Sequence, residues 1–157
     1  SKAQQTYSSM DWDLLFFFAF LFVIIGVMEH AQVLGLIGGL VVKLMGLGET
    51  FGPMALLWSS AVASSVTDNI PLAAMLAKSM SNLPDFAANF WWAVIYGANL
   101  GGNISPIGSA STVVAVTVIA KNNIQLGFMD FVIKALPFAI VHLILASLYV
   151  YGLGFLI

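Results

Sequence analysis

Thr67-Asp68-Asn69 lies two residues ahead of Pro71 in an otherwise apolar stretch, and a second polar interruption follows at residues 101–109, "GGNISPIGS". Carboxylate and amide oxygens are the donors that suit a hard cation or a proton. A helix restarting after a break presents free N–H groups and a positive dipole end, which suit an anion. Asp68, Asn69, Asn103, Ser105 and Ser109 are therefore candidate ligands, with Thr67 and Gly102 beside them. Asp68, Asn69 and Asn103 together form a candidate sodium site. Pro71, Gly101, Pro106 and Gly108 are read as the residues that break the helices, the glycines by allowing unusual backbone angles and close approach. The structural alternative for Asp68 is a plain helix N-cap, but Ser or Asn would cap without the cost of a charge. No Lys-Ser or Lys-Thr follows the glycines, which excludes a P-loop.

What makes an aspartate costly here is the solvent. Of 157 residues 61% are hydrophobic and 8% charged, and no Arg is present. A soluble domain carries roughly 25% charged residues. The chain cannot clothe a water-facing surface, so it is read as an all-α, multi-pass membrane protein, placed in the cell (inner) membrane. An acid in the middle of a spanning helix costs about 2.5–3.5 kcal/mol on insertion scales, so Asp68 reads as functional. The net charge of −2, without basic clusters, excludes nucleic acid as a partner. With no cysteine there is neither a disulfide nor a thiolate metal site. No cofactor is expected beyond a coupling Na+ or H+.

The elements that must position these residues follow from hydropathy. Residues 1–11 form a polar connector, and 12–30 a membrane helix anchored by Trp12. Residues 31–48 are Gly-rich and read as a spanning or interfacial helix, with Lys43 snorkelling. Two apolar arms, 53–67 and 72–80, then flank the Asp68 break. At 1.5 Å per residue they measure about 22 Å and 14 Å, and neither crosses a core about 30 Å thick. Residues 88–120 form a second interrupted segment with its loop at 100–109, and 132–157 a last spanning helix. Short, Gly/Pro-interrupted segments in series mark the substrate site of a transporter.

"SSAVASSVTDNIPLAAM", followed about thirty residues later by "GANLGGNISPIGSASTVVA", resembles the ion transporter superfamily. The branch it resembles holds arsenite permeases, NhaD-type sodium/proton antiporters and the melanosomal P-protein, with a citrate-transporter-like domain. The opening "MDWDLLFFFAFLFVIIGVMEH" is similar to the same branch. The resemblance implies two inverted repeats, of which residues 12–157 would be the second. It also implies a re-entrant hairpin over 51–83 with its tip at 67–71, and an unwound helix over 88–120. Ser105 stands where the family loop carries Thr and keeps the hydroxyl. The implied partners are the bilayer, an N-terminal repeat and a second copy of the transporter.

The expected function is secondary active transport of an inorganic or small organic anion coupled to H+ or Na+, with sodium/proton antiport as the alternative. A remote enzymatic reading, an intramembrane serine protease, would use Ser109 as nucleophile and His142 as base. His142 reads more simply as a packed, hydrogen-bonded histidine. Ser64, Ser65 and Thr67 either line a polar path or pack as small residues. Glu29 and His30 read as interfacial. Asp11, Asp13, Glu49, Asp85 and Asp130 read as solvated, and Trp58, Trp91, Trp92 and Tyr96 as packing or lipid-facing aromatics.

Overall fold

The apolar runs become α-helices wherever Gly, Pro or an Asx cap does not stop them. A computed structural model of the chain describes residues 12–83 and 87–155. The connector 1–11, Asp11, Asp85 and the side chain of Asp13 lie outside the described residues. Seven helices are described and no strand: α1 Trp12–His30, α2 Val33–Met45, α3 Gly48–Val66, α4 Asn69–Ser81, α5 Ala88–Gly101, α6 Ala110–Lys121 and α7 Phe128–Leu153. The described residues are all-α, as expected from the sequence.

Among the described residues, α7 alone is long and apolar enough to cross a membrane by itself, with 26 residues or about 39 Å. Ala19–His30 and Val33–Met45 pass that test only as a pair, bent by 78° between them. Gln32 causes the bend by taking left-handed backbone angles, φ 58°, so α2 cannot continue α1. Helix α3 begins at Gly48, earlier than the hairpin boundary at 51 expected from the sequence, with φ +90° at that glycine. Its 19 residues, about 28 Å, make it the longer arm of the Asp68 break.

Helices α3 and α5 lie at the centre, with α2, α4 and α7 packed around them. Leu56, Leu57 and Ala61 of α3 interlock with Phe90, Ala93 and Val94 of α5, and Leu143, Ala146 and Val150 of α7 close the cluster. Small residues let the two central helices approach closely, as is usual where lipid offers no hydrophobic drive for association. A Cβ at Gly97 or Gly101 would overlap the α3 backbone at Leu57 or Ala61. The buried Ser64 hydroxyl donates to the Ala98 carbonyl, fastening the same two helices. Of the two earlier readings of Ser64, packing is the one observed.

Trp58 Nε1 donates to Ser147 Oγ at 3.1 Å, tying α3 to α7. Trp92, Tyr96 and Tyr149 form an aromatic triad between α5 and α7, with centroids 5.6–6.1 Å apart. Trp58→Phe should keep most of the buried ring area and lose only the hydrogen bond. We expect a cost of about 0.5–1.5 kcal/mol. Unfolding in detergent should then show Trp58→Phe and Ser147→Ala to be non-additive; additive losses would exclude the bond.

Helix α6 is different. Among the described residues it packs against no other helix, and Val113, Val114 and Val118 are exposed. Lys78 of α4 pairs with Glu29 of α1 at 3.3 Å, and both side chains are solvent-accessible.

Candidate functional site

Helix α4 starts because Asp68, with extended backbone angles (φ −66°, ψ 134°), accepts a hydrogen bond from the Ile70 N–H at 3.0 Å. Pro71 follows in the first turn, where a missing N–H costs nothing. The cap occupies Oδ1; among the described residues no hydrogen bond reaches Oδ2, and Asp68 is half-buried. Asp68 is therefore a cap with one carboxylate oxygen to spare.

Helix α6 starts the same way. Ser109 (φ −159°, ψ 156°) accepts from the Thr112 N–H, and the Thr112 hydroxyl in turn accepts from the Ser109 N–H, a reciprocal capping box. Ser109 Oγ also lies 2.9 Å from Ser111 Oγ and 3.1 Å from Thr112 Oγ1, so three hydroxyls cluster at this helix start. Ser109 and Thr112 are buried.

The two breaks meet. The Asn69 N–H, the first of α4, donates to the carbonyl of Gly108, one residue ahead of the α6 cap, at 3.1 Å. The contact needs glycine on both sides of the loop. A Cβ on Gly102 would lie 2.7 Å from the Gly108 oxygen and 3.2 Å from Asn69 Cβ, and one on Gly108 would lie 2.9 Å from the Ser64 oxygen. Among the described residues the only positive-φ glycine is Gly48, so Gly101, Gly102 and Gly108 serve close approach. The expectation of unusual backbone angles at the breaks is corrected accordingly.

Asn69, Gly102, Gly108 and Ser109 are thus drawn into one junction, with Asp68 adjoining. Thr67 is exposed and its hydroxyl returns to the Ala63 carbonyl at 2.9 Å. Ser105 is buried, and its hydroxyl accepts from the Ile107 N–H within its own loop, beside Pro106. Asn103 is exposed and lines a separate cavity of about 320 Å³ together with His142. Sequence reasoning missed Asn99, whose Oδ1 accepts from Asn69 Nδ2 at 3.3 Å while its own amide is anchored on the Ile95 carbonyl. The signal was an amide in the last turn of an apolar helix, facing the tip of the other break. Thr112, the other half of the capping box, was also missed.

His142 is exposed and bonded to the Phe138 carbonyl one turn back at 2.7 Å. The expectation of a packed histidine is therefore half right: it is bonded but not buried. Among the described residues no hydrogen bond joins it to Ser109, whose hydroxyl is committed to its cap. A second, apolar cavity of about 450 Å³ lies between α2, α3 and α4, and the buried Ser60 hydroxyl on its wall has no partner among the described residues.

Residues 1–97 match the family model described as citrate transporter. The chain is 29% identical over 150 residues to a 46 kDa membrane protein of Mycobacterium leprae, covering 92% of this chain and 35% of that protein. It is 31% identical over 166 residues to an uncharacterized transporter of Synechocystis, covering 93% and 37%. To the P protein of Mus musculus it is 33% identical over 133 residues, covering 78% and 16%. The chain spans about a third of the length of the first two relatives. No solved structure matches. A chain whose described residues are all-helical, with two helix breaks that meet beside an acid, matched by a transporter family over more than half its length, is an integral membrane protein of the ion transporter superfamily, and it belongs to the citrate transporter family.

Proposed function

We propose that this chain is the second repeat of a secondary active transporter that carries a small anion, coupled to H+ or Na+. The observation that supports this best is the Asn69–Gly108 junction. It sets the N-termini of α4 and α6 side by side, next to a carboxylate with a free oxygen. Two converging helix N-termini favour an anion, and the spare oxygen of Asp68 favours a cation or a proton. In this reading Asp68 and Asn69 hold the coupling ion, and the exposed Ser111 hydroxyl at the start of α6 meets the anion. Irregular backbone at membrane depth is tolerable only where protein buries it or water reaches it. The family's name makes a carboxylate substrate the first to test. An N-terminal repeat and a second copy of the transporter would complete the assembly.

The spare Asp68 oxygen equally suits sodium/proton antiport, the second reading. Flux of labelled citrate, arsenite and sodium into proteoliposomes, with internal pH recorded, separates the two. Anion entry driven by an imposed proton or sodium gradient supports the first, and sodium exchange against protons without an anion supports the second. No gradient-driven flux of any of the three would exclude both.

The chain over 51–83 is proposed to enter and leave the membrane on one face. Glu49→Cys and Asn82→Cys should then label from the same side with a membrane-impermeant reagent. Labelling from opposite sides would show that α3 and α4 cross instead.

A further inference from the structure

The cavity of about 320 Å³ between the second break and α7 holds two polar side chains that the junction does not use. They are Asn103, from the loop, and His142, from α7; Leu100, Ala135, Phe138 and Ala139 supply the apolar walls. Among the described residues the Asn103 amide makes no side-chain hydrogen bond, and the His142 ring makes one, through Nδ1. His142 stands 14 residues after Phe128, about 21 Å along a helix of about 39 Å. An exposed polar side chain at that depth would be costly against hydrocarbon, which argues for a polar occupant beside His142 and Asn103. At about 30 Å³ for a water molecule, the cavity has room for a small carboxylate or oxyanion.

The Nδ1 contact decides what such an anion meets. The Phe138 carbonyl can only accept, so Nδ1 carries a proton. A neutral His142 then carries its lone pair at Nε2, which repels an anionic oxygen. Protonation at Nε2 converts it to a donor. We propose that Asn103 and His142 form an anion subsite that opens only on proton uptake. One proton from water adds to Nε2, the ring becomes imidazolium, and the anionic oxygen accepts from Nε2–H and from the Asn103 amide. The inference rests on the anion-carrier reading and adds to it a named coupling point. Charged groups elsewhere do not substitute for His142. On the elements packed against α7, the titratable groups are Tyr96 of α5 and Glu49 of α3. On α7 itself they are Asp130, Lys134, Tyr149 and Tyr151, and none of the six lines this cavity.

The chain has two histidines, so the ring can be read directly, with His30 as internal control. The full chain in lipid nanodiscs, labelled with 13C at histidine Cε1, is titrated at pH 7 with citrate and, in a second series, with sulfate. The expected result is that the His142 resonance moves toward its imidazolium position while that of His30 stays. Asn103→Ala should need about tenfold more anion for the same movement, the loss of one hydrogen bond to a charged group. His142→Gln, which donates without a proton, should bind the anion with an affinity independent of pH. A His142 resonance unmoved by either anion overturns the inference, as does a His142→Gln variant with the parent's pH profile. Flux of the parent is measured separately, and its absence overturns the transport reading alone.

Discussion

Asp68→Asn is expected to abolish gradient-driven transport while leaving the fold intact. The structure separates the two roles of this side chain. One oxygen caps α4 by accepting from Ile70 at 3.0 Å, and the amide oxygen of Asn does this as well as a carboxylate. The charge and the second oxygen are lost. If they hold the coupling ion, coupled flux should fall about a hundredfold or more, the scale of removing a charged partner from a poorly solvated site, about 3 kcal/mol. The melting temperature in detergent should change by no more than a few degrees, since only a small helix-dipole contribution is given up. Asp68→Ala should lose the cap as well, adding about 1 kcal/mol of destabilisation. Parent-like flux and gradient dependence in Asp68→Asn would show that the acid is a cap only, and would remove the cation from this break.

How far the sequence spoke depended on the range of the interaction. The two breaks were legible because Pro71, Gly101, Gly102 and Pro106 act locally on the backbone. The Asp68 cap was legible for a similar reason, as an Asx residue immediately ahead of an apolar helix, whereas Ser109 was read as a ligand and not as the cap it forms. That the two breaks face each other was expected of a transporter; the contact that joins them was not legible, because the Asn69–Gly108 bond links residues nearly forty positions apart. Asn99 was overlooked for the same reason, since its partner arrives from another helix. Asn103 was grouped with Asp68 by residue type, and the fold turns it instead to a cavity shared with His142. The boundary between α1 and α2 was legible, but its sharp bend at Gln32 was not, because left-handed angles are unusual for a non-Gly residue. The glycines were singled out correctly, and of the two reasons expected, close approach holds and unusual backbone angles do not.

That correction changes what a substitution should do. Sequence reasoning alone expects Gly101→Val to insert normally and fail only in transport. The structure gives the side chain no room: a Cβ at Gly101 would fall on the oxygen, Cα and carbonyl carbon of Ala61, all under 3.0 Å. These are backbone atoms at the centre of α3 and cannot rotate aside. Relief requires α3 and α5 to separate, which would pull Ser64 from the Ala98 carbonyl and loosen the cluster around Leu57, Ala93 and Val94. Overpacking of a mobile side chain costs about 1–3 kcal/mol, and displacement of a helix backbone costs more. Gly101→Ala should therefore already lower the melting temperature by several degrees, and Gly101→Val should prevent the two helices from packing and abolish flux. Gly39 of α2 is the control, because a Cβ there meets nothing within 4 Å. Gly39→Ala should be neutral or gain up to about 1 kcal/mol from better helix propensity. Two equal responses at Gly39 and Gly101 would mean that α3 and α5 do not approach as closely as the fold requires, and the junction they hold together would lose its support.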